Sequence, residues 1–427
     1  MSIVLPEAVA DSGGAPPVLG TATSFPLWRD AVRRAVLDEI GDFLPRACPV
    51  ALRHLGAQDV LRQYALGGKC LRSTFMYLGW LCGAPDDPAA LRAAAGLELL
   101  HAFALLQDDV MDQSATRRGA PAAHVRFAAV HRGTGAPGSS VRYGESAATL
   151  LADMCLVWAE QMLRESGIAE RALARVWPGY DSMRVELATG QFADLLNDAR
   201  TEPPLAAVLA IAQAKSGNYT VRCPLEMGAA MAGCDATVLD ALGRYGAAVG
   251  EAFQLRDDIL GIFGSQAVTG KPVDTDLGTR TATSVVVLAR EMATSPARAE
   301  LSELLHRPRL GAAEITRART LITESGAPAR IEEMIAERVG RARDALAPTL
   351  FAAPMRAALG YMAAACTERV AWQEDFIDAQ NRRRYRPGRD RRGRLGGVVR
   401  RLALDRPVPR GDRRRTRSGT GWTRGTR

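Results

Sequence analysis

Residues 105–124, LLQDDVMDQSATRRGAPAAH, place Asp108, Asp109 and Asp112 within five positions and follow them with Arg117 and Arg118. On a helix, positions i and i+4 share a face and i+1 lies about 100° round. Carboxylates this close repel, and burying them unpaired is costly. Something cationic must meet them. The arginines are one answer, and a hard divalent cation suits carboxylate oxygens better. A second acidic pair, Asp257 and Asp258, stands in FQLRDDILGIFG, again at the end of an apolar run. Two such clusters facing one cavity would hold Mg²⁺, which takes one or two carboxylates and fills its shell with water and substrate phosphates. The acidic clusters therefore predict a phosphorylated ligand.

A diphosphate also needs cations on its outer oxygens. Lys69 and Arg72 in GGKCLRS, Arg117 and Arg118, Lys215 in AKSGNY and Lys271 in TGKP are the candidates. Singly, each reads as a surface charge. The glycines beside Lys69 and Lys271 permit close backbone approach. Neither stretch is a P-loop. GSQAVTGKP has one residue too many between its glycines, and Pro272 stands where Ser or Thr is required.

Helices must position these groups. Apolar residues recur at helical spacing in PAALRAAAGLELLHAFALLQDDVMD, GESAATLLADMCLVWAEQMLRES and ATVLDALGRYGAAVGEAFQLRDDILGIFG. Strand-like alternation is scarce. Proline and glycine clusters at 133–140, 201–204 and 269–278 separate the helical runs. The pattern predicts an all-α, multi-helix bundle around a central cavity. Hydrophobic residues make up 47% of the 427, enough for a large core.

Residues 1–24 read as a flexible leader, 25–380 as the all-α domain, and 381–427 as a basic, disordered tail. The last 47 residues hold 18 arginines and three aspartates, so the net +8 splits into +15 on the tail and −7 on the rest. Such asymmetry marks an appended, solvated extension, and its charge would suit an acidic surface. No nucleic acid partner is expected. Seven scattered cysteines form no C-x-x-C pair, which suggests neither a zinc ribbon nor a disulfide framework. The first basic residue is Arg29, and no uncharged apolar run approaches the roughly 20 residues that span a bilayer. A soluble, cytoplasmic protein is expected.

Over roughly residues 50–290 the chain resembles the trans-isoprenyl diphosphate synthases (polyprenyl synthetases), the geranylgeranyl diphosphate synthase group especially. DDVMDQSATRRGAPAAH and GEAFQLRDDILGIFG look like the two aspartate-rich motifs. GGKCLRS, GESAATLLAD, TGQFADL, AKSGNYTVRCPLEMGAA and VTGKPVDTDL look like further family blocks. The resemblance implies the isoprenoid synthase fold and a homodimer. It implies Mg²⁺ held by Asp108, Asp109 and Asp112 on one side and by Asp257 and Asp258 on the other. By position, Arg117, Lys215 and Lys271 would bind an allylic diphosphate (dimethylallyl, geranyl or farnesyl). Lys69, Arg72, His101 and Arg118 would bind isopentenyl diphosphate, and Ser216 and Gln254 would line the reacting end. Phe103 and Ala104, just before the first motif, would floor the product cavity at C20. Cys70 and Ser73 depart from the family's usual basic residue and proline, and Thr281 from its usual lysine.

Rival readings are a farnesyl diphosphate synthase, a class I terpene cyclase and a non-catalytic subunit of a heteromeric synthase. Glu98–His101 and Glu303–His306 also repeat a Glu-x-x-His spacing found in di-iron bundles, which would leave the second aspartate pair unexplained.

Overall fold

The computed structural model of the protein describes residues 25–198, 203–264, 277, 282–307 and 310–368. The leader, the tail, residues 369–380 of the expected domain, Lys271 and Thr281 lie outside the described residues. Among those described, the helices of the first half are α1 (Phe25–Ala47), α2 (Val50–His54), α3 (Ala57–Ala65), α4 (Leu71–Leu81), α5 (Pro88–Met111), α6 (Ala123–Thr134), α7 (Ser140–Arg164) and α8 (Glu170–Asp198). Then come α9 (Leu205–Ala212), a π-helix (Gln213–Arg222), α10 (Cys223–Ala232) and α11 (Ala236–Phe263). The chain closes with α12 (Ser284–Met292), α13 (Ser295–His306), α14 (Ala312–Glu324), α15 (Ala327–Ala345) and α16 (Ala353–Thr367). The all-α expectation holds.

α5 is the central helix. Asp87 caps its start by accepting from the Ala89 amide at 2.8 Å, and Pro88 supplies a preset first-turn φ. α1, α3, α4 and α7 pack around it, so most of its residues are buried. By length and composition α5 is apolar enough to cross a membrane, yet 67% of that window is buried inside the protein. Its two interior charges are satisfied there: Arg92 pairs with Glu39 at 2.9 Å, and Glu98 accepts from the Ser73 amide and hydroxyl. α5 is therefore a bundle core helix. α4 crosses α10 at Gly79 and Gly228, and a methyl group at Gly228 would stand 1.8 Å from the Met76 carbonyl oxygen.

α11 joins two cores. Leu242, Tyr245 and Val249 belong to the main core with α4, α5 and α10. Leu255, Ile259 and Ile262 belong to a second core with α12–α15. The second aspartate pair sits on that latter part of α11.

One local feature departs from the all-helical expectation. Thr116–Arg117 and Ala120–Pro121 form a two-strand hairpin, β1 and β2. Its turn residues, Arg118 and Gly119, have φ of 52° and 71°, the left-handed pair that a two-residue hairpin loop needs.

Candidate active site

The first aspartate cluster ends α5, where the helix dipole is negative and carboxylates are least welcome. Cationic side chains offset this. Asp108, part-exposed, lies 3.3 Å from the Lys215 ammonium through Oδ1 and 3.6 Å from Arg117 through Oδ2. Lys215 also donates to Asp194 of α8 at 2.6 Å. Burial alone would lower the Lys215 pKa, but Asp108 and Asp194, with Asp112 behind them, raise it above the ordinary lysine value. The ammonium stays charged.

Asp109 does not share this role. It is fully buried, its Oδ1 accepts from Arg117 Nε at 2.9 Å, and its Oδ2 accepts from the Tyr64 hydroxyl. Both of its oxygens are engaged by protein donors, and it anchors Arg117. Asp112 caps the end of α5 and is exposed.

Arg118, expected on a diphosphate, donates through Nη1 to the carbonyls of Gln63 at 2.9 Å and Tyr64 at 3.1 Å, and its guanidinium lies against Gly67 and Gly68. It braces the loop that carries Lys69, which is itself part-exposed. Arg72, only 8% exposed, donates to Thr220 at 2.8 Å and stacks 4.1 Å over the Tyr219 ring. Its Nε is buried with no hydrogen-bond partner. The Tyr219 hydroxyl lies 3.1 Å from His101 Nδ1. Burial, then the nearby Arg72, Arg118 and Arg117, push the His101 pKa well below the ordinary value, so its ring is neutral at working pH. The ring keeps part of its surface accessible although it lies deep on α5. His101, Ala104, Leu105 and Asp108 are all part-accessible and share one face at i, i+3, i+4 and i+7, while Ala102, Leu106 and Asp109 are buried. Phe103, also part-accessible, sits beside that stripe against the main core.

The π-helix carries Lys215, Ser216 and Tyr219 on one widened turn, a form common at functional sites. Gly190 of α8 lets it approach closely: a methyl group there would lie 2.5 Å from the Lys215 amide nitrogen.

On α11, Asp257 is exposed and Asp258 is buried. Asp258 accepts from Gln254 at 3.0 Å and from the Ser284 amide at 2.9 Å, at the positive start of α12. Burial pushes its pKa up to about 6, against the lowering effect of those hydrogen bonds. Gln213, Gln254 and Asp258 line one small void, which sets the second aspartate pair against the start of the π-helix.

Among the described residues no three His, Cys, Asp or Glu side chains form a metal-binding group. Asp108 and Asp109 pair with Lys215 and Arg117, and Asp258 accepts from Ser284. The oxygen-only donors Asp108, Asp112 and Asp257 still match a hard cation that brings water and phosphate oxygens with it. The Glu-x-x-His pairs do not converge. Glu98 binds Ser73, while Glu303 pairs with Arg307 and His306 meets the Ser302 carbonyl on its own helix. One cavity, about 360 Å³, is lined by Arg175, Glu186, Arg222 and Glu226 among others, and by none of the residues singled out from sequence.

The sequence reading missed Tyr64, Asp194 and Tyr219. Asp194 lies inside the TGQFADL block, and Tyr219 lies four residues after Lys215. Tyr64 carried no signal beyond its nearness to Gly67 and Gly68.

The sequence model for polyprenyl synthetase matches residues 57–322. The chain is 34% identical over 299 residues to a geranylgeranyl diphosphate synthase of Mycobacterium tuberculosis, covering 69% of this chain and 79% of that protein. It is 32% identical over 285 residues to a geranylfarnesyl diphosphate synthase of Aeropyrum pernix, covering 66% and 83%. Its fold superposes with a TM-score of 0.74 and 31% identity on a geranylgeranyl pyrophosphate synthase of Corynebacterium glutamicum crystallised with isoprenyl diphosphate and magnesium, covering 82% of this chain and all of that one.

Proposed function

The chain belongs to the polyprenyl synthetase family and is a prenyltransferase of isoprenyl diphosphates, and from that premise we propose that it condenses isopentenyl diphosphate with an allylic diphosphate to give geranylgeranyl diphosphate. The observation that carries this reading is the charge arrangement at the end of α5. Asp108 is poised between Lys215 and Arg117, and the neutral His101 lies two turns before it on α5, next to Tyr219, over which the cationic Arg72 of α4 stacks.

In this reading Asp108, Asp112 and Asp257 would hold Mg²⁺, which when bound would neutralise the leaving diphosphate. Lys215 and Arg117 exchange carboxylate for diphosphate oxygens and bind the allylic substrate. The orphaned Nε of Arg72, with Lys69, suits the diphosphate of isopentenyl diphosphate. Ionisation leaves an allylic carbocation, which the part-accessible apolar stripe of α5 shelters from water. The double bond of the second substrate attacks it, and a proton leaves to the departing diphosphate. No protein nucleophile is needed. Phe103 and Ala104 would end the product cavity. The two relatives named above carry different product names, so C20 rests on Phe103. Phe103→Ala should lengthen the product, read by chromatography of the hydrolysed prenols, and an unchanged product would remove Phe103 from the floor.

A homodimer is also proposed. Leu150 and Val157 on α7 and Val185, Phe192 and Leu196 on α8 are each at least 60% exposed. The Arg184–Glu160 pair at 3.3 Å ties the two helices together beside them. Large apolar side chains exposed along two helices in this way suit a second copy.

The test is incubation of the purified protein with isopentenyl diphosphate and each allylic primer, with Mg²⁺ and with a chelator. Metal-dependent elongation supports the reading. A hydrocarbon or alcohol from one substrate supports a cyclase, and silence without a partner chain supports a subunit.

A further inference from the structure

The loop that carries Lys69 is held from outside the family-matched segment. Arg33 Nε donates to the Gly68 carbonyl at 2.8 Å, and Arg29 donates to the Lys69 carbonyl at 3.2 Å. Both arginines lie on α1, which ends before residue 57, where the family match begins. Arg29 is 3% exposed, and burying a guanidinium is costly unless its partners compensate. Burial lowers its pKa accordingly. Arg33 makes no ion pair with a carboxylate among the described residues; its hydrogen bond goes to the loop. α1 is fixed by aromatic packing: Phe25 stacks on Trp28 at 5.0 Å and meets Tyr361 of α16 at 4.9 Å, and Trp28 stacks on Tyr77 of α4 at 6.3 Å.

The direction of those two carbonyls has a consequence. In a trans peptide the C=O and the next N–H point to opposite sides. With the Gly68 and Lys69 carbonyls both drawn to α1, the Lys69 and Cys70 amides turn together away from it. Successive amides facing one way form a concave anion-binding pair. The backbone flanking Lys69 is unusual: Gly68 has φ 128° and Cys70 has φ 48°, a left-handed conformation uncommon for a non-glycine residue. Arg118 closes the other side of the same loop.

We propose that Arg29 and Arg33 are positioning residues for the second substrate: they draw two carbonyls to α1 and so aim the Lys69 and Cys70 amides, with the Lys69 ammonium, at its diphosphate. This rests on the reading that the Lys69 loop takes isopentenyl diphosphate. Cys70, which departs from the family's basic residue, then contributes its amide rather than a charge.

The test is steady-state kinetics of the full chain, with wild type beside R33A, R33K and R29K. R33A should raise the KM for isopentenyl diphosphate about tenfold, the scale of one lost charge-assisted hydrogen bond. The KM for the allylic diphosphate should stay within about twofold, well below that scale, and R33K should recover part of the loss. Should R33A not fold, R33Q carries the same comparison. An unchanged KM for isopentenyl diphosphate, or two KM values rising together, overturns the inference. Wild type that elongates no primer removes the functional reading and this inference with it, whereas active wild type with an indifferent R33A or R33Q removes the inference alone.

Discussion

Three aspartates that look equivalent in the sequence have three different surroundings. Asp108 is shared between Lys215 and Arg117, Asp112 is exposed, and Asp109 is sealed behind Arg117 and Tyr64. The helical wheel places Asp109 off the shared face but does not say what it meets. That depends on α3 and on the hairpin after α5, which come together only in the folded chain. Tyr64 is the residue that closes this arrangement, because its hydroxyl donates to Asp109 and accepts from the Ala123 amide at 3.1 Å. Tyr64→Phe should cost about 1–3 kcal/mol of stability, the range for leaving buried polar partners unmade, and should lower turnover by loosening Arg117. Chemical denaturation and initial rates check this, and a variant with unchanged midpoint and rate would show that Tyr64 does not hold the cluster. The residues that touch charge were legible because aspartate, lysine and arginine advertise themselves. Tyr64 and Tyr219 were not, because a buried tyrosine reads first as core.

At the scale of elements, 3.6-residue periodicity was enough to predict an all-helical bundle, and it placed both aspartate pairs at helix ends. It could not distinguish the π-helix Gln213–Arg222 from an α-helix, since the extra residue per turn is set by packing against α8 and α11. Nor did it reveal the hairpin, whose turn puts Arg118 in a left-handed conformation held by carbonyls of α3. α10 offers a test of how burial shapes this region. Burial raises the Glu226 pKa above its ordinary 4.5, although Arg222 opposes the shift. A carboxyl whose folded pKa is raised binds its proton more tightly when folded, so its contribution is best at low pH and worsens as pH climbs past 4.5. Glu226→Gln should therefore gain stability relative to wild type at neutral pH, with the gap closing toward pH 4.5. Paired melting curves across that range measure it, and a gap that widens on acidification would contradict the sign.

For the whole molecule, α1 and α16 meet through Phe25 and Tyr361 and close the main core, and the second core hangs on the latter part of α11. The exposed apolar residues on α7 and α8 are the surface proposed above for a second copy. Phe192→Asp places a charge at its centre and should convert a dimer to a monomer by light scattering; a wild type that is already monomeric, or a dimer indifferent to the change, would remove that surface from the assembly. The proposed function rests on one chemistry, in which acidic ends of two helices and the cations between them would bring two diphosphates together. The most direct test is incorporation of labelled isopentenyl diphosphate into an allylic primer by wild type, Asp108→Ala and Asp257→Ala in the presence of Mg²⁺. The account predicts incorporation by wild type and its loss in both variants, and near wild-type turnover in either variant would contradict it.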